Sequence, residues 1–146
     1  MKRPTPISRQ RGATLLEVLV AVLVLAIGLL GVAALQASAL RSNQSAFERS
    51  QAVMMSYSML DAMRSNANVA RTGGYNIGFT CDPPGGGGRV GDDIQRWITG
   101  LQAGLGAGTC GRIQCGANTC DIEVRWDDSR ALDGDAEQTL TTTTRL

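Results

Sequence analysis

The chain has 146 residues, with 14 basic and 13 acidic side chains, a formal charge of +1, four cysteines and no histidine. A formal charge this close to neutral gives no electrostatic indication that the protein binds a nucleic acid. The lack of histidine removes the side chain most often used for acid–base catalysis. The serines and the acidic pairs form no catalytic constellation, so the sequence predicts a protein that is not an enzyme and that needs neither a cofactor nor a metal.

The first distinctive feature is a long apolar segment that follows a short basic stretch. Residues 13–35 carry a single charge, on Glu17, and exceed the length of about 20 apolar residues that crosses a membrane as a helix. No acidic residue precedes the segment, whereas four basic residues do: Lys2, Arg3, Arg9 and Arg11. By the positive-inside rule, the N-terminus should be cytoplasmic and the remainder exported.

Glu17 is unusual because it lies inside this apolar segment. A carboxylate within a membrane helix costs roughly 2.5–3.5 kcal/mol on insertion scales, so it should either reach the headgroups or have a cationic partner. Cleavage after Gly12 would provide a partner, because Ala13 would gain a free amine about one helical turn from Glu17.

The stretch Arg11-Gly-Ala-Thr-Leu-Leu-Glu-Val-Leu19 resembles the class III signal of type IV pilins and type II secretion pseudopilins. In these proteins a prepilin peptidase cuts after the glycine and methylates the new amine. The resemblance implies cleavage between Gly12 and Ala13, N-methylation of Ala13, and a role for Glu17 in assembly by charge pairing with the N-terminal amine of a neighbouring subunit.

Residues 18–36 are most similar to the PilV-type minor pilins, also called type IV pilus modification proteins. Two features depart from the wider pattern: Ala13 replaces the usual phenylalanine, and no proline lies between Pro6 and Pro83. Any local melting of the apolar helix would therefore have to begin at its glycines.

The resemblance implies a minor pilin that takes part in type IV pilus assembly or modification as a structural subunit. Its partners would be other major and minor pilins, contacted through the N-terminal helices, together with prepilin peptidase and inner-membrane lipid. The head would lie in the periplasm and then in a pilus at the cell surface.

Other functions are consistent with the same segment. A minor pseudopilin of a type II secretion system would use the same helix. A single-pass anchored adhesin or binding module would use the helix only as a tether and would keep residues 9–12. An ordinary secretory signal would be removed together with the helix, with residues 33–37 as its cleavage site.

The chain divides into four predicted segments: a leader at 1–12 that is removed, the membrane and assembly half of a long helix at 13–40, its amphipathic half at 41–66, and a periplasmic head at 67–146. Four residues of the amphipathic half recur on one helical stripe beside Leu60: Ala52, Met55, Met59 and Met63. A methionine stripe can form a binding groove, but it more often fills a core.

The head should combine a short helix with a three-stranded antiparallel sheet, which gives an α+β fold of the type IV pilin-like kind. Residues 66–91 are rich in glycine and proline and are predicted to be a loop. A helix capped by Asp92 or Asp93 should bury four residues spaced for one face: Ile94, Trp97, Ile98 and Leu101. Strands are predicted at 112–115, 120–126 and 137–146.

The four cysteines are Cys81, Cys110, Cys115 and Cys120. On the exported side of a membrane they indicate a disulfide framework, for which three connectivities are possible. We prefer Cys115 with Cys120, across the hairpin loop, and Cys81 with Cys110, which would tie the glycine-rich loop to the second helix. A four-cysteine zinc site is the alternative.

Acidic residues near the end of the chain pose a similar choice. Asp127, Asp128, Asp133 and Asp135 would suit either a calcium-binding loop, because calcium prefers oxygen ligands, or a solvated turn. We favour the turn.

Overall fold

The computed structural model describes Gly12 and residues 14–145. The predicted leader, apart from Gly12, and the predicted methylation position Ala13 lie outside these residues. The elements are α1 (Leu15–Arg64), α2 (Ala67–Arg71), β1 (Ile77–Thr80), α3 (Gly88–Leu105), β2 (Cys110–Cys115), β3 (Thr119–Trp126) and β4 (Gln138–Arg145). The chain separates into two compact units, which meet between Ser38 and Ala39.

The first unit contains the apolar part of α1. Leucine, valine and alanine dominate it, no proline interrupts it, and every residue from 14 to 37 is exposed. A helix satisfies its own backbone hydrogen bonds, so an apolar sequence can remain helical in lipid. Among the described residues, α1 is the one helix whose length and composition suit a membrane span.

The second unit begins with the rest of α1, which buries one face. Ala52, Met59, Leu60 and Met63 are at most 2% exposed, and the half-buried Met55 packs against them. The predicted core stripe is therefore confirmed. The spacing of three or four residues places these side chains on one side of the helix, which faces the sheet.

The described part of the chain forms one antiparallel sheet in the order β1-β2-β3-β4. The α+β class is confirmed, but the sheet has four strands where the sequence predicts three. The additional strand is β1, which lies in the segment predicted to be a loop. Because β1 has only four residues, its sequence is too short to show a clear period of two. Its pairing with β2 is also irregular between Ile77 and Thr80.

The helix α3 covers the sheet with the predicted face. Ile94, Trp97, Ile98 and Leu101 are all buried, which confirms the predicted contact. The indole of Trp97 lies so close to β2 that a Cβ added to Gly111 would come within 2.5 Å of its ring. The helix begins at Gly88, earlier than the predicted cap, because the glycine-rich run enters its first turn.

Two disulfides are present in the described residues, Cys81–Cys110 and Cys115–Cys120. These are the two pairs preferred from the sequence. The first joins the segment after β1 to the start of β2, and the second joins the ends of the β2–β3 hairpin, where the two cysteines lie directly opposite each other.

Candidate processing and assembly segment

The N-terminal candidate residues surround the start of α1. The backbone carbonyl of Thr14 accepts hydrogen bonds from the amides of Glu17, at 3.0 Å, and Val18, at 3.3 Å. The Thr14 hydroxyl also accepts weakly from the Glu17 amide, at 3.4 Å. Thr14 thus caps the helix in the manner usual for threonine, by satisfying amides that have no partner inside the helix.

Glu17 occupies the first turn of α1 and is exposed. A carboxylate is favourable at this end of a helix because the helix dipole is positive there. The side chain makes no ion pair with any residue that the structure describes, so it is available to a cation supplied from elsewhere.

Gly12 is also exposed, and a Cβ added there would have no atom within 4 Å. Packing in the described chain therefore does not explain why a glycine stands at this position.

The apolar side chains that follow Glu17 form no core of their own. The leucines, valines and isoleucine between Leu15 and Leu35 are between 51% and 87% exposed. Burial of such side chains is worth about 25 cal/mol per Å², so a surface of this kind requires lipid or other helices around it.

The four cysteines all lie in the head. Each is disulfide-bonded, so the alternative of a four-cysteine zinc site is wrong.

The acidic loop that follows β3 is also part of the head. The Asp127 carboxylate accepts from the Ser129 amide at 2.9 Å, and hydrogen bonds from Ser129 hold the pKa of Asp127 below its usual range. Asp128 is buried and accepts from the Ser45 hydroxyl at 2.6 Å. Within the described residues these carboxylates do not gather into a group suited to a metal ion.

Two polar contacts of buried residues are not predicted from the sequence. One is Ser45 with Asp128, which joins α1 to the β3–β4 loop. The other is Tyr75, whose hydroxyl donates to Asp93 at 2.9 Å and accepts from Asn66 at 3.2 Å. Partners 83 residues apart, as in the first contact, leave no local signal. For the contact between Tyr75 and Asp93, the one indication in the sequence is the position of Asp93 at the edge of the predicted α3 face.

An apolar N-terminal helix with an acid in its first turn, followed by a disulfide-bonded α+β head, fits the architecture of pilin-like proteins. Residues 7–33 match the prokaryotic N-terminal methylation motif. This motif supports a type IV pilin-like protein that is processed by prepilin peptidase and anchored in the inner membrane. Such proteins are generally structural subunits. No curated protein and no solved structure shows significant similarity to the chain.

Proposed function

We propose that the protein is a minor pilin of the PilV type, which takes part in type IV pilus assembly or modification as a structural subunit. The observation that carries the proposal is the methylation motif at residues 7–33, together with a helix whose apolar side chains are exposed from Leu15 to Leu35. The helix would first be held in the inner membrane and would then pack against helices of other pilins.

In this proposal, residues 1–12 are the leader, residues 13–40 the membrane and assembly half of the helix, residues 41–66 its amphipathic half and residues 67–146 the head. Prepilin peptidase cuts between Gly12 and Ala13 and methylates Ala13. The N-terminus faces the cytoplasm before cleavage, and the head lies in the periplasm.

The proposed assembly step follows from the surface of α1. Its apolar side chains move from lipid to the helices of neighbouring subunits, and this transfer costs little because both surroundings are apolar. Glu17 selects the axial position, because a carboxylate in such a setting is stabilised when it meets a protonated amine. The amine is the N-terminus of an adjacent subunit.

The test uses the full chain in a piliated host. Gly12→Val should block cleavage and leave a precursor band of unshifted mobility. Glu17→Ala should be cleaved and inserted normally, but should be lost from sheared pili. Asp61→Ala is the matched control, because it removes another exposed acid of α1 outside the apolar segment, and it should still enter pili.

Recovery of Glu17→Ala in pili at the wild-type level would contradict the assembly role. A pseudopilin would instead show loss of protein secretion, with intact pili, in a deletion strain. An anchored adhesin would retain residues 9–12 in the mature protein.

A further inference from the structure

The last strand of the sheet has an open edge. In the described chain β4 is one of the two outer strands, pairs with β3 on one side only, and contains no proline. The unpaired backbone groups of such an edge form a template for another extended segment.

The hydrogen bonds of β2 establish which residues of β4 direct their backbone groups to this open edge. The amide of Cys115 donates to the Asn76 side chain at 2.7 Å, and the carbonyl of Cys115 accepts from the same side chain at 3.2 Å. Asn76 lies on the β1 side, so the backbone groups of Cys115 point away from β3. The next residue points the other way, because the Gly116 amide donates to the Thr119 carbonyl at 2.8 Å. Successive residues of an antiparallel strand are expected to alternate in this manner.

The same alternation continues into β4. Cys115 lies opposite Cys120, and Cys120 lies opposite Thr144. The backbone groups of Cys120 therefore point to β4, where they bond with Thr144, and every second residue of β4 bonds to β3 in the same way. The residues between them, including Thr141 and Thr143, direct their N–H and C=O groups to the open edge.

The helix α1 runs beside β4. Arg49 donates to the side-chain carbonyl of Gln138 at 3.2 Å, and Arg64 donates to the hydroxyl of Thr144 at 3.4 Å, so arginines of α1 reach both ends of the strand.

Two apolar side chains lie between these arginines along the same strip of α1. Val53 and Tyr57 follow Arg49 at intervals of four residues, which places all three side chains on adjoining turns of one side of the helix. Val53 is 36% exposed and Tyr57 is 53% exposed. A strand added to β4 would cover this apolar surface, and its burial would stabilise the complex.

The charges argue against a second copy of the chain as the added strand. Antiparallel pairing of two β4 edges would bring Arg49 of one copy towards Arg64 of the other, and parallel pairing would bring identical arginines together. Arg49 bonds to a neutral amide. Arg64 pairs with Asp61 at 3.0 Å, but both side chains are well exposed and such a pair offsets little charge.

We propose that the open edge of β4 binds an extended segment of a different polypeptide, which carries apolar side chains towards Val53 and Tyr57 and a carboxylate near each end, opposite Arg49 and Arg64. The backbone groups of Thr141 and Thr143 supply the main-chain hydrogen bonds, and the arginines select the partner by charge.

The test measures peptide binding to the purified full-length protein in detergent micelles. The probe is a synthetic heptapeptide, Asp-Thr-Val-Thr-Val-Thr-Glu, in which the acids and the valines occupy every second position and therefore share one face of an extended strand. The control peptides carry lysine at both ends or proline in the centre. We expect saturable binding of the acid-ended peptide, weakened at least tenfold by either control change and reduced by salt.

Variants of the protein locate the binding edge. Thr141→Pro removes an amide that faces the open edge and leaves the β3 ladder intact, since proline is tolerated on the outer side of an edge strand. It should weaken binding at least tenfold, whereas Thr141→Val, which keeps the amide, should not. Arg64→Glu, at an exposed position, should abolish the preference for the acid-ended over the lysine-ended peptide, because each peptide then has one favourable and one unfavourable end. This variant tests the proposal even if Thr141→Pro does not fold.

Equal binding of the acid-ended and proline-containing peptides would overturn the proposal, as would a dimer cross-linked through β4 of two copies. The peptide assay does not depend on cleavage after Gly12. Its failure is therefore distinguishable from failure of the proposed pilin function.

Discussion

The two parts of α1 differ in how they use apolar side chains. From Leu15 to Leu35 these side chains surround the helix and are exposed, whereas around Leu60 they occupy one face and are buried. An all-round apolar surface has to be covered by lipid or by other helices. A one-sided surface is covered by the protein's own sheet. One continuous helix therefore contains a segment that depends on its surroundings and a segment that belongs to a folded head.

The largest effect on the head should come from truncating its buried helix face. Leu60→Ala should lower the free energy of unfolding by about 2–5 kcal/mol, because Leu60 is 0% exposed and its removal leaves a cavity. Leu30→Ala is the matched control at a side chain that is 72% exposed. Both tryptophans of the chain lie in the head core, so their fluorescence during denaturation reports this difference. Equal losses in the two variants would contradict the comparison.

The longer disulfide should contribute the next largest effect. Cys81 and Cys110 are 29 residues apart, and a cross-link of that span stabilises by about 3–4 kcal/mol when it restricts the unfolded chain. Replacing Cys81 by serine and Cys110 by alanine should lower the unfolding free energy by that amount. An unchanged denaturation midpoint would refute this prediction. The mass of the unreduced wild-type protein provides the control, because four free thiols would show that neither disulfide had formed.

The buried Tyr75 hydroxyl should give the smallest effect and a dependence on pH. Tyr75→Phe removes a donor to the buried Asp93, which should cost about 1–3 kcal/mol. Burial raises the pKa of Tyr75 above its ordinary value of 10.0. The folded state therefore prefers the neutral phenol, and this contribution is complete below pH 10 and is lost as the pH rises through the higher folded-state value.

Thermal unfolding between pH 8 and pH 11 checks this prediction. The wild type should lose stability more steeply than Tyr75→Phe at the alkaline end, whereas Tyr57→Phe, at a half-exposed position, should follow the wild type. Parallel curves for the wild type and Tyr75→Phe would show that the buried phenol does not contribute as described.

The sequence predicts those features that depend on local periodicity. The apolar segment, the stripe that contains Met59 and Met63, and the buried face of α3 all follow from side chains repeated along one element. The strand β1 is not predictable in this way, because four residues around Gly78 carry too little pattern, and its pairing with β2 is formed across the fold.

The candidate segment shows the same division. Gly12 and Glu17 can be found from sequence because the signal is contiguous. The contact between Ser45 and Asp128 depends on how the β3–β4 loop returns to α1, and the open edge of β4 depends on the order of the strands. Neither feature has a local signature, so both required the folded chain.

The central claim is that the Glu17 carboxylate pairs with an N-terminal amine, and that this amine is created when the leader is removed after Gly12. Mass spectrometry of the purified mature protein, with fragmentation of its N-terminal peptide, tests this most directly. We predict a chain that begins at Ala13 with a methylated amine and retains the apolar helix. A chain that begins at Met1, or one that has lost the helix, would contradict it.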